Sequence, residues 1–184
     1  AWHAHEMLWG FIATIALAFL MTAGANWTGI NPMSGKLLAL ACVLWAVARI
    51  GFLLPWETAF WIAMTSELAF FLLGSSAMLR AVVMSKNSRN YAVPGLLAGL
   101  GAMDALYLLS ARGGDYLLLM QRFNAGLVVM ALIALLIGRR VIPFFAMRAV
   151  HEMSLPKQTE TGWVQLGACA VGVLGLLLGQ PVPT

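Results

Sequence analysis

Apolar residues run in long blocks along this chain, and each block is broken by a short cluster of polar residues, glycine or proline. About 20 apolar residues are needed to cross a bilayer as a helix. On that measure the blocks predict about six helical spans, at residues 7–25, 37–54, 59–79, 91–111, 116–137 and 163–179. The punctuation supports this division. Gly29, Pro32 and Gly35 mark the loop 26–36, Pro55 stops the second span, and Arg112-Gly113-Gly114-Asp115 makes a tight turn. Pro94 falls in the first turn of the fourth span, where its missing N–H is tolerated. The longest connection, 138–162, holds Val141, Ile142, Phe144, Phe145 and Met147 beside its arginines. It reads either as an amphipathic segment in the headgroup region or as a solvated connector. The predicted fold class is all-α, a polytopic transmembrane helical bundle forming one domain over residues 1–184.

Composition agrees with the pattern. The chain is 61% hydrophobic and 10% charged, with a mean hydropathy of +0.87, whereas soluble domains carry about 25% charged residues. Lipid must therefore be the solvent for much of it. The net charge of +4 reports topology rather than nucleic-acid binding. With six spans, loops 26–36, 80–90 and 138–162 share one side and carry eight Lys and Arg residues, while the other side has only Arg112. The positive-inside rule makes those three loops cytoplasmic and sets His3, His5 and Glu6 on the outer side. Asn26-Trp27-Thr28 is then internal and is discarded as a glycosylation sequon. Trp2, Trp27, Trp56 and Trp163 fall near span ends, as an aromatic belt requires. Cys42 and Cys169 read as buried free thiols rather than a disulfide or zinc framework. No signal peptide is expected from the opening residues, and the missing initiator Met suggests a fragment or processed form.

Chemistry in such a chain is sought where charge enters the spans, because an ionisable group in lipid is costly. Arg49, Glu67, Asp104 and Arg122 do so, with Gln121 and Asn124 as polar companions. At 1.5 Å per residue, these charges lie roughly 9–12 Å from the outer helix ends. They predict a polar pocket opening to the outer face. The plainer reading is a pair of buried ion pairs, with Arg49 and Arg122 matched to Glu67 and Asp104. The run Trp2-His3-Ala4-His5-Glu6-Met7 adds two imidazoles and a thioether, donors suited to iron and copper. His3 and His5 stand about 200° apart on a regular helix, so only an extended start would let both hold one ion. A second triplet, His151-Glu152-Met153, reads as a chance recurrence across the membrane. The sequence has no phosphate-binding glycine motif, no covalent haem-attachment motif and no nucleophile elbow.

Two stretches carry a resemblance. The opening Trp2-His3-Ala4-His5-Glu6-Met7-Leu8-Trp9-Gly10-Phe11, continued by Phe19-Leu20-Met21-Thr22-Ala23 and Asn26-Trp27-Thr28-Gly29, resembles the NnrS family. So does Gly138-Arg139-Arg140-Val141-Ile142-Pro143-Phe144-Phe145. The resemblance implies a multi-pass protein of the bacterial inner membrane that binds haem and copper and acts in the response to nitric oxide and nitrosative stress. It implies that this chain is roughly the first half of such a protein, with the remaining helices or another subunit, membrane lipid and nitric oxide as partners. By the same resemblance His3 and His5 are expected as haem or copper ligands, Met7 as a soft metal ligand, and Arg49 and Arg122 as partners of haem propionates. Any haem would be non-covalent, and whether the protein is an enzyme stays open. The rival reading is a proton- or ion-coupled transporter using Glu67 and Asp104. A third makes this half a scaffold for a site formed elsewhere.

Overall fold

The computed structural model describes residues 2–150 and 162–179 of the chain. The described residues form six helices and no strand: α1 (Trp2–Thr28), α2 (Gly35–Leu53), α3 (Glu57–Met84), α4 (Ala92–Gly113), α5 (Tyr116–Ala149) and α6 (Gly162–Leu178). The first five are long and apolar enough to cross a membrane. At 17 residues, α6 sits at the lower limit of a span. The all-α transmembrane bundle expected from the hydropathy pattern is the fold observed.

Local chemistry sets the helix ends. Gly29 closes α1 in the left-handed region (φ 70°), its N–H bonded to the Ala25 carbonyl, and Gly114 follows α4 in the same backbone region (φ 74°). The Asp115 carboxylate caps α5 by accepting from the Leu118 N–H at 3.0 Å. One boundary differs from expectation. The sequence places the end of the fifth span at residue 137 and a connection from 138 onward, yet α5 runs unbroken to Ala149 and contains Pro143. An isolated Gly138 weakens a helix by only about 1 kcal/mol and does not end it. His151 and the rest of 151–161 lie outside the described residues.

Packing follows the membrane rule that small residues let backbones approach. Adjacent pairs from α2–α3 through α5–α6 pack together, whereas α1 rests mainly on α3 and touches α5 through residues 6–13. A Cβ added at Gly51 of α2 would meet the Ala63 Cβ of α3 at 2.9 Å, so that pair can close only through small residues. Gly126 of α5 similarly accepts the Trp9 ring. Phe11, Ile15 and Phe19 of α1 and Leu40, Val43 and Ile50 of α2 stay exposed, as lipid-facing positions should. At the end opposite the N-terminus, Asn87 donates its side-chain amide to the Trp27 carbonyl at 2.9 Å and fixes the end of α1 against the α3–α4 turn.

Candidate functional site

The site begins with an irregularity in α1. Residues Glu6–Ala13 are wound as a π-helix, flanked by α-helical Trp2–His5 and Thr14–Thr28. Widening the turn disturbs the ordinary carbonyl partners, and side chains fill in. The Thr14 hydroxyl donates to the Trp9 carbonyl at 3.2 Å, and the Trp45 indole of α2 donates to the Gly10 carbonyl at 3.1 Å. π-Segments of this kind are found preferentially at functional sites. Here His5, Leu8, Trp9, Gly10 and Ala13 all become buried.

Four helices bring charge to this segment. His5 is 2% exposed, and its Nε2 lies 2.9 Å from Asp104 Oδ1 of α4 and 3.2 Å from Glu67 Oε2 of α3. Its Nδ1 faces Glu6 Oε1 at 3.3 Å. From α2, Arg49 donates Nη1 to Glu6 Oε2 at 2.7 Å and Nη2 to Glu67 Oε1. Gly10 makes room for this guanidinium, because a Cβ there would overlap Arg49 and stand 2.7 Å from Glu6 Oε2. Three carboxylates thus face one guanidinium and one imidazole, and Glu67 and Asp104 are almost wholly buried. Nε2 carries at most one proton, which Asp104 accepts. Glu67 Oε2 is left buried without a hydrogen bond. The donor atoms of His5, Glu67 and Asp104 all lie within 4.8 Å of one another, a grouping able to hold a metal ion.

An aromatic wall encloses the imidazole. Ring centroids of Phe52, Trp9 and Tyr107 lie 5.0, 5.7 and 6.0 Å from that of His5. The Trp9 indole donates to the Leu100 carbonyl at 3.1 Å, which holds the wall in place.

The sequence-expected residues separate into two groups. His5, Arg49, Glu67 and Asp104 come together as an intramembrane polar pocket. The other five do not join them. His3 is exposed and Met7 is 44% exposed, so neither shares the His5 site. Because Trp2–His5 is helical, the two histidines point apart as the helical spacing requires. Arg122 is half-buried and forms no ion pair among the described residues, Asn124 is exposed, and Gln121 donates to the Leu176 and Gly179 carbonyls of the α6 end. The expected matching of two arginines to two acids is therefore corrected: Arg49 takes Glu67 and Glu6, while Asp104 takes His5. Cys42, expected buried, is exposed; the Cys169 side chain lies outside the described ones.

Sequence reasoning also missed part of the site. The cost argument selects only charges deep within the spans, so it passes over Glu6 and the rings of Trp9, Phe52 and Tyr107. A signal was present. An aromatic residue follows each of His5, Arg49 and Asp104 by three or four positions, one helical turn along the same face.

A separate cavity of about 830 Å³ lies between α1 and α2, lined by Leu17, Met21, Met33, Cys42, Trp45 and Phe70 among others. It contains no histidine and none of the clustered acids.

No curated protein and no solved structure matches the chain. The family model described as NnrS protein matches residues 1–183. With that match spanning nearly its whole length, the chain belongs to the NnrS family.

Proposed function

We propose that this nitric oxide response protein protects against nitrosative stress through a metal held in the polar cluster around His5, in the outer half of a bundle in the bacterial inner membrane. Family membership supplies the nitric oxide context. The observation that carries the rest is a buried imidazole shared by two carboxylates within an otherwise apolar bundle. Charge is kept in lipid only where it is paired or used. Here the carboxylates outnumber the guanidinium that meets them.

The two cofactors of the family fit this cluster unequally. Haem does not fit at His5. Both ring nitrogens face carboxylates, and Phe52, Trp9 and Tyr107 close around the ring. Arg49 is engaged by Glu6 and Glu67 rather than directed at an open slot suited to propionates. Copper fits as the divalent ion, which accepts imidazole and carboxylate donors, whereas the cuprous ion prefers the thioether that Met7 holds elsewhere. When bound, such an ion supplies a redox-active centre able to take nitric oxide as a ligand. The chain's own part is to hold His5 by Glu6, to fix Glu67 by Arg49, and to exclude water with the aromatic wall.

The test uses the full-length protein in detergent. Metal analysis is paired with oxidised and reduced absorption spectra before and after nitric oxide, for the wild type and His5→Ala. A nitric-oxide-dependent spectral change that disappears with His5→Ala is expected. An unchanged response in His5→Ala refutes the assignment. The unbonded Glu67 Oε2 also favours a second reading, proton-coupled transport through Glu67 and Asp104. Uptake by metal-free proteoliposomes that depends on Glu67 would favour it over the first.

A further inference from the structure

We propose that His5, Glu67 and Asp104 are the protein ligands of a single non-haem divalent metal ion, bound through His5 Nε2, Glu67 Oε2 and Asp104 Oδ1. This deepens the reading above by naming a donor set and an ion class that haem and cuprous copper do not share.

Three observations lead to it. The first is spacing. Ligand atoms at neighbouring positions of an octahedral ion with bonds of about 2.1 Å stand about 3.0 Å apart, and around a tetrahedral ion about 3.4 Å. The observed separations from Nε2 are 2.9 Å to Asp104 and 3.2 Å to Glu67. The second is the buried, unbonded Glu67 Oε2 directed at that nitrogen. Without a cation, one N–H serves two carboxylates, and one oxygen is left unsatisfied at the usual cost of such a group. A cation satisfies both oxygens at once.

The third is the support behind the ligands. Metal-bound histidines commonly give their other ring N–H to a carboxylate, which fixes the tautomer and strengthens the ligand. Glu6 Oε1 stands 3.3 Å from His5 Nδ1 in that role. Arg49 holds the remaining oxygens of Glu6 and Glu67, so each carboxylate has one oxygen committed to the guanidinium and one left over. Charge then selects the ion. With His5 neutral, Glu6, Glu67 and Asp104 against Arg49 leave two negative charges, which a divalent cation balances and a monovalent one does not. Helical bundles build carboxylate–histidine metal sites in this way, from side chains on facing helices. The chemistry of the set, one nitrogen and two oxygens, favours hard to borderline divalent ions, manganous, ferrous or cupric, over soft ones.

The probe is Mn²⁺ added to chelator-stripped, full-length protein in detergent, followed by the paramagnetic resonance of the free ion and by thermal stability. One Mn²⁺ per chain is expected, with a rise in Tm on loading. Asp104→Asn, Glu67→Gln and His5→Ala should each weaken binding by at least about 100-fold, and Glu6→Gln by about 10–100-fold as a supporting residue. His3→Ala and Met7→Leu should bind as the wild type does. The absence of Mn²⁺ binding and of any Tm rise in the wild type overturns the proposal without recourse to variants. So does wild-type affinity in both Asp104→Asn and Glu67→Gln. Binding that meets these expectations, with no nitric oxide response once the same site is reloaded with Cu²⁺ or Fe²⁺, leaves the site standing and removes the functional reading. A nitric oxide response that survives Asp104→Asn while Mn²⁺ binding is lost does the same, because the response then does not run through this site.

Discussion

Replacing Arg49 with Met tests whether the cluster is an interdependent unit. Arg49 is 13% exposed, bridges Glu6 and Glu67, and lies 5.4 Å over the Phe52 ring. Removing one partner of a buried ion pair costs about 3–5 kcal/mol, because the charge left behind is uncompensated. The lost contact with Phe52 adds to the cost in the same direction. Glu67→Gln alone should cost less, about 1–3 kcal/mol, since Arg49 keeps Glu6 and only one charged hydrogen bond is weakened. Independent effects would sum to about 4–8 kcal/mol in the double variant. The structure predicts less. Once Arg49 is gone, neutralising Glu67 removes a charge that has no counterion, so the double variant should fall short of the sum by about 0.5–3 kcal/mol. The assay is equilibrium unfolding of the full-length, metal-stripped protein in mixed micelles of increasing denaturing detergent, followed by Trp fluorescence. Additivity within about 0.5 kcal/mol, or a cost below about 1 kcal/mol for Arg49→Met, would show that these charges do not depend on each other.

Three further outcomes can be checked with simple materials. Gly126→Ala should destabilise by about 1–3 kcal/mol through overpacking, since the added Cβ would lie 2.5 Å from Trp9 Cζ2; Gly113→Ala, where nothing lies within 4 Å, should be tolerated in the same unfolding assay. Gly10→Ala should push the Arg49 guanidinium off Glu6 and lower Mn²⁺ affinity as Glu6→Gln does, while binding that stays unchanged would remove Arg49 from its supporting role. In a background with Cys42 and Cys169 changed to Ser, an impermeant maleimide added to spheroplasts should label Gly113→Cys and not Lys86→Cys, and the opposite pattern would invert the topology drawn from the basic residues.

The helical bundle was legible because a hydropathy block in lipid has only one common solution, a helix that satisfies its own backbone. The boundaries were less so. Gly138 and the basic pair after it look like an end, but a single glycine costs too little to stop a helix that already has about six turns behind it. For the site, the intramembrane charges Arg49, Glu67 and Asp104 stood out by cost alone, and helical arithmetic put them at one depth. Their pairing was not legible. Depth along a helix says nothing of azimuth, and the π-segment at residues 6–13 shifts the azimuth of α1 in a way no regular periodicity anticipates. For the same reason Glu6 could not be told apart from a solvated helix-end acid. Arg122 shares the depth of those charges, but among the described residues it is not brought to the cluster.

The cluster also accounts for the order in which the helices pack. In a chain of short connections α1 would be expected to lie against α2, its neighbour in sequence. Instead α1 rests on α3, and a cavity of about 830 Å³ lies between α1 and α2. The polar contacts of His5 run to Glu67 on α3 and Asp104 on α4, whereas α2 reaches the π-segment through the long Arg49 side chain and the Trp45 indole. In lipid, apolar faces give little preference between partners, because the tails are as apolar as leucine. Buried polar groups therefore decide which helices meet. On this argument the acids and the histidine have two roles that cannot be separated: they choose the partners of α1, and in doing so they create the one place in the described bundle where imidazole and carboxylate donors of three helices converge.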